Sequence, residues 1–225
     1  MPRWGDRRRL RVGLLGGSFN PAHDGHRHIA LLALRRLRLD QVWLLVSPGN
    51  PLKAADGMAS FEQRLAGARR IADGRRIVAT GIEVALGTRY TVATLAALRR
   101  RFPRVRFVWL MGADNLAQLP AWNRWREIAA RCVFAVLPRP TYNHRALAGQ
   151  AARRLRGVRQ PVYAASALAG MAPPAWVFLP APQHAASATA IRAAAASPRS
   201  RPFRPPPVPG VSDHRPEAAR PTIAA

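Results

Sequence analysis

Cysteine is almost missing from this chain of 225 residues, and Cys132 is the only one. A single thiol excludes an internal disulfide framework and a four-cysteine zinc site. Its surroundings predict a small buried hydrophobe at a strand start. Lysine is equally scarce: Lys53 stands alone, so 35 of the 36 basic residues are arginine. Acidic residues number only 11, which leaves a net charge of +25. No apolar run approaches the roughly 18 residues that mark a membrane-spanning helix. Residues 1–10 are basic and lack a following long apolar segment, so no signal peptide is predicted. The expected compartment is the cytoplasm, and no membrane partner is expected.

Such a charge would suit a nucleic-acid binder. The arginines, however, are spread along the chain, with clusters at Arg7-Arg8-Arg9, Arg35-Arg36 and Arg99-Arg100-Arg101. The last two clusters fall at predicted helix ends, where cations favour the C-terminal dipole. The near-total preference for arginine fits a GC-rich coding sequence better than a phosphate track. No specific nucleic-acid partner is therefore expected, only adhesion at low salt.

What the chain has is alternation. Apolar runs at 12–15, 42–46, 76–80, 105–111, 133–137 and 176–179 read as strands. Amphipathic stretches at 26–39, 60–72, 91–102, 122–131 and 143–156 read as helices, and Ser60 with Gln63 reads as a capping box. Near-continuous apolar strands between helices predict an α/β fold, a Rossmann-like doubly wound parallel sheet in a single domain. Ligands of such sheets bind beyond the carboxyl ends of the strands. The expected organisation is a basic extension over 1–10, a domain over 11–196 and a disordered Pro-rich tail over 197–225.

The run Gly16-Gly17-Ser18-Phe19-Asn20-Pro21-Ala22-His23-Asp24-Gly25-His26 follows the first strand and opens the first helix. Glycines let the backbone approach an anion, and a helix N-terminus offers free N–H groups. Two imidazoles add donors for phosphate oxygens. Residue types alone leave a two-histidine metal site or plain structural histidines open.

This run resembles the GG(S/T)FDPxHxGH signature of the HxGH nucleotidyltransferase superfamily. Roughly 170 residues later, Ser187-Ala188-Thr189-Ala190-Ile191-Arg192 resembles its (S/T)xTxIR element. Over residues 10–196 the chain most resembles the bacterial nicotinate-nucleotide adenylyltransferases. That resemblance implies adenylyl transfer from ATP to nicotinate mononucleotide, with Mg²⁺ carried by ATP and no dedicated metal ligands. It implies ATP phosphate contacts from Gly16, Gly17, Ser18, Phe19, Gly25, His23 and His26, with His26 closest to the α-phosphate. Asn20 stands where the family most often has Asp, and either residue caps the following turn.

Further matches carry further implied roles. Ser187, Thr189 and Arg192 would hold the β- and γ-phosphates; alone they read equally as a capped helix with a solvated arginine. Lys53, in Ser47-Pro48-Gly49-Asn50-Pro51-Leu52-Lys53, would sit near substrate phosphate as a compact point charge. Tyr90 and Thr91 match a segment that contacts nicotinate mononucleotide, though Thr91 also reads as an N-cap. Asp114, after Gly112, would contact the nucleotide or else cap a helix. Trp122 matches an aromatic that stacks on the pyridine ring, or packs in the core. Arg139 matches the RP element beside the adenine site, or is one arginine among many.

Phosphopantetheine adenylyltransferases share the glycine turn but lack the YT and PxW segments. Glycerol- and choline-phosphate cytidylyltransferases share it but typically replace the downstream element. Nicotinamide mononucleotide remains an open alternative acceptor. From other classes come a non-catalytic binding module and an RNA-associated basic protein whose affinity would fall steeply with salt. A homo-oligomer is compatible with all of these.

Overall fold

Each apolar run becomes a strand because it is covered on both faces. The computed structural model describes residues 8–49 and 57–181. Its seven strands are β1 (Arg11–Gly17), β2 (Gln41–Val46), β3 (Ile77–Thr80), β4 (Arg106–Gly112), β5 (Val133–Leu137), β6 (Arg159–Gln160) and β7 (Trp176–Phe178). All pair in parallel, in the order β3-β2-β1-β4-β5-β7-β6. The chain winds outward from β1 in one direction and from β4 in the other. The switch point therefore lies between β1 and β4, which sets the crevice at their carboxyl ends.

The helices are α1 (Asp24–Arg36), α2 (Phe61–Ile71), α3 (Ile82–Ala85), α4 (Thr91–Arg101), α5 (Ala113–Gln118), α6 (Trp125–Arg131), α7 (Asn143–Leu147) and α8 (Gln150–Arg154). Strand alternation divides the core into two layers. Leu15, Leu44, Val46, Val108 and Leu110 pack with Ala30, Ala33 and Leu37 of the α1 region, Ala68 of α2 and Leu168 of a 3₁₀ segment, Val162–Gly170. Val12, Leu14, Trp43, Trp109 and Met111 pack on the other face with Leu95 and Leu98 of α4, Leu116 of α5 and Ile128 of α6. The expected doubly wound α/β sheet is what the chain forms. Among the described residues no helix is long and apolar enough to cross a membrane.

The departures from expectation are local. The stretch at 143–156 is two short helices, because Gly149 serves as the N-cap of α8 in extended backbone. Adding a Cβ at Gly149 would press on the Ala146 and Arg145 carbonyls at 3.1 Å. The stretch at 122–131 becomes helical only from Trp125, after Arg124 takes a left-handed φ of 51°. Thr91 is the first helical residue of α4 and Tyr90 is its cap. Cys132 follows α6, is buried, and its thiol is pushed up to about 12 by that burial. Lys53, Ser187, Thr189, Arg192 and the tail over 197–225 lie outside the described residues.

Candidate active site

The site begins where β1 runs out. Gly16 and Gly17 pair with Leu45 and Val46 of β2, and Ser47 N–H donates to the Gly17 carbonyl at 3.0 Å. A Cβ on Gly16 would meet Cη2 of Trp109 at 2.9 Å, so glycine here makes room for an indole. Phe19 is buried with a left-handed φ of 50°. That conformation costs a non-glycine residue about 1 kcal/mol or more and persists only where neighbours hold it. Asn20 reaches outward: its Nδ2 donates to the Gly57 carbonyl at 3.1 Å, and its Oδ1 accepts from Ala59 N–H at 3.3 Å. Asn20 thus ties the turn to the approach to α2, a longer-range task than the local cap expected of it.

His23 is the N-cap of α1, in extended backbone, and His26 lies in the first turn. Their ring centroids are 3.9 Å apart, and Phe19 packs on His26 at 4.8 Å. Burial, with the neighbouring His23 and Arg139 charges, drives the His26 pKa down to about 3. The ring is therefore neutral at physiological pH. The His23 backbone N–H donates to Nδ1 of His26 at 3.2 Å. An Nδ1 that accepts leaves the proton on Nε2, so His26 presents a neutral N–H donor.

Arg139 lies two residues beyond β5, and Asp114 lies in α5, just beyond β4. Nε of Arg139 lies 3.6 Å from Oδ1 of Asp114. Both atoms are buried, and among the described residues neither has a hydrogen-bond partner. Gly112 allows this approach, because a Cβ there would collide with Asp114 Oδ1 and crowd the Arg139 side chain. Arg139 also acts electrostatically on His26, which joins the ends of β1 and β5 in one site. Asp114 thus has an ion-pair neighbour as well as a place in the first turn of α5.

A second group gathers around Trp109, whose tip lies over Gly16. Trp122 meets it edge-on, with centroids 6.2 Å apart and planes at 88°. Trp122 is half-buried, so part of its ring remains available. Nε1 of Trp109 is buried and has no hydrogen-bond partner among the described residues. Tyr90 is exposed at the head of α4, and no described contact ties it or Thr91 to the histidine pair. Its backbone is held from below. Thr94 donates to the Glu83 carboxylate at 2.8 Å and lies 2.9 Å from the Thr88 hydroxyl and 3.3 Å from the Tyr90 carbonyl. Burial raises the Glu83 pKa above its usual value, against the opposing effect of the Thr94 bond.

Three contributors were not legible as site residues: Arg64, Glu83 and Trp109. The first left a trace in the sequence. Arg64 shares the apolar stripe of α2 with Phe61, Ala68 and Ile71, where an arginine is out of place. Among the described residues no group of three His, Cys, Asp or Glu could hold a metal.

The cytidylyltransferase-like family matches residues 14–194. A protein named probable nicotinate-nucleotide adenylyltransferase from Gluconacetobacter diazotrophicus is 61% identical over 198 residues, covering 88% of this chain and 92% of that one. One with the same name from Gluconobacter oxydans is 66% identical over 152 residues, covering 68% and 78%. Among solved structures, a Plasmodium falciparum nicotinic acid mononucleotide adenylyltransferase complexed with NaAD shares the fold. Its TM-score is 0.60 at 13% identity, over 82% of this chain and 83% of that one. The glycine turn at the switch point, the histidine pair and these relatives agree, and the chain belongs to the nicotinate-nucleotide adenylyltransferase family of cytidylyltransferase-like proteins.

Proposed function

We propose that this chain transfers the adenylyl group of ATP to nicotinate mononucleotide, releasing pyrophosphate and deamido-NAD. The observation that carries the reading is the relative from Gluconacetobacter diazotrophicus, 61% identical with 92% of its length covered. The site supports it with a neutral donor at the phosphate turn. An oxygen of the acceptor's 5′-phosphate attacks the α-phosphorus. A new P–O bond forms, the α–β bridging bond breaks, and its electron pair leaves with pyrophosphate. No protein nucleophile takes part, so catalysis is positioning and charge stabilisation.

We assign His26 Nε2–H to an α-phosphate oxygen, with His23, Gly16, Gly17, Ser18, Phe19 and Gly25 around the triphosphate. Arg139, which faces Asp114, is assigned to the adenine side. Tyr90, Thr91, Asp114 and Trp122 are assigned to the acceptor, with Trp122 against the pyridine ring. Lys53, Ser187, Thr189 and Arg192 are assigned to phosphate by their motifs alone. Mg²⁺ bound to ATP oxygens would neutralise charge on the departing pyrophosphate. With soluble nucleotides as substrates, we place the protein in the cytoplasm.

The test is pyrophosphate release with ATP and Mg²⁺, offering nicotinate mononucleotide, nicotinamide mononucleotide and phosphopantetheine separately. A kcat/KM highest for nicotinate mononucleotide is expected. A preference for another acceptor would overturn the substrate, and silence with all three would overturn the reaction.

A further inference from the structure

Arg64 is an arginine inside the protein. It projects from α2 and is 3% exposed. No salt bridge reaches it among the described residues. Its hydrogen bonds all go to backbone carbonyls: Nε donates to Ala59 at 3.0 Å, Nη1 to Ser18 at 2.8 Å and to Ser47 at 2.7 Å, and Nη2 to Pro48 at 3.2 Å. Ser18 belongs to the turn after β1. Ser47 and Pro48 follow β2, and Ala59 precedes α2. One guanidinium therefore gathers three chain segments at the carboxyl edge of the sheet. Lysine could not replace it, since four acceptors in a planar fan match a guanidinium and not an ammonium.

The bond to Ser18 has a consequence for the next residue. A trans peptide is planar, so its N–H points opposite to its C=O. Holding the Ser18 carbonyl inward turns the Phe19 N–H outward, away from the guanidinium. No acceptor among the described residues takes that N–H. Phe19 also carries the left-handed φ of 50°, which needs an external hold. Phe19 is one of the residues assigned to the triphosphate.

We infer that Arg64 is a positioning residue: it locks the Ser18–Phe19 peptide so that the Phe19 N–H is presented to an ATP phosphate oxygen. It touches no substrate and acts through the backbone it holds. The inference rests on the adenylyl-transfer reading above.

The experiment compares wild type, Arg64→Lys and Arg64→Met, with ATP and adenosine affinities by titration calorimetry and thermal stability in parallel. Adenosine has no phosphate, so it reports the rest of the nucleotide site. Losing a charge-assisted hold on the turn should weaken ATP binding by about tenfold or more. Adenosine affinity should change by less than about twofold. Arg64→Lys should behave more like Arg64→Met than like wild type, because it keeps the charge and loses the fan. Folded variants that bind ATP as wild type does would overturn the inference, however much their melting temperature fell. Equal losses for ATP and adenosine would overturn it too.

Should both variants fail to fold, wild type labelled at the Phe19 amide answers the question. On adding ATP the Phe19 amide resonance should shift and its hydrogen exchange should slow. An unmoved resonance under saturating ATP would overturn the inference. Wild type that releases no pyrophosphate is a failure of the reaction assignment. Wild type that does release it, with variants binding ATP normally, is a failure of the role given to Arg64.

Discussion

A neutral imidazole and a charged one do different chemistry at a phosphate, and His26 is held neutral. Its Nδ1 accepts a backbone N–H, and its pKa is about 3. The geometry therefore makes it a hydrogen-bond donor rather than a proton source. His26→Ala should lower kcat by about 10²-fold or more with the fold intact, as loss of a transition-state donor does. Steady-state kinetics with a melting curve check this, and near-normal turnover would remove the assigned role. The same ring gives stability a pH dependence. The folded value lies below the unfolded one, near 6.5. Above pH 6.5 the ring is neutral in both states, and its contribution is fully present. As pH falls from 6.5 toward 3, the unfolded chain takes a proton that the folded chain refuses, and stability is lost. Melting temperatures across that window should fall in wild type, and the slope should be shallower in His26→Gln.

At the scale of elements, packing decides what the motifs can do. Gly16 and Trp109 sit on paired strands, and the indole fills the space a side chain would take. Gly16→Ala should cost about 1–3 kcal/mol of stability through overpacking. Adding Trp109→Phe should recover part of it, which a double-mutant cycle by denaturant unfolding would show. Trp109→Phe alone shortens the edge that Trp122 packs against. It should raise the acceptor KM roughly fivefold, the worth of about 1 kcal/mol for an aromatic pair, and leave the ATP KM nearly unchanged.

The helix pair α3–α4 offers another check. Glu83 is buried with a raised pKa, so as pH rises the unfolded carboxyl ionises first and stability falls. Glu83→Gln keeps an acceptor for Thr94 and should be more stable than wild type at neutral pH, with a flatter pH profile. The opposite order of melting temperatures would contradict the burial argument.

These elements also show what a sequence exposes. Six of the seven strands were readable because each is a short apolar run in a sheet covered on both faces; β6, the two polar residues Arg159 and Gln160 at the sheet edge, carries no such signal. The glycine turn was readable because close approach tolerates few residue types. The break at Gly149 and the late start of α6 were hidden, since both depend on single backbone angles within amphipathic runs. Arg64 showed only as an arginine out of place on an apolar stripe and Glu83 not at all, and what either does was hidden for another reason. Their roles come from partners 17 and 46 residues away for Arg64 and 11 residues away for Glu83, and local pattern says nothing of such partners.

For the whole molecule, the net charge of +25 sets a background rather than a function. It attracts polyanions at low salt and helps draw in anionic nucleotides. Binding to a random duplex should fall steeply with salt, while a specific acceptor preference should survive it. On the proposed function, the α-phosphorus of ATP passes to nicotinate mononucleotide at the β1–β4 switch point. The decisive measurement uses ATP labelled at its α-phosphorus, with wild type and His26→Ala run side by side and the products separated. Label in deamido-NAD, none in pyrophosphate, and near-silence in the variant is the predicted result. Label remaining in ATP or AMP, or an equally active variant, would contradict it.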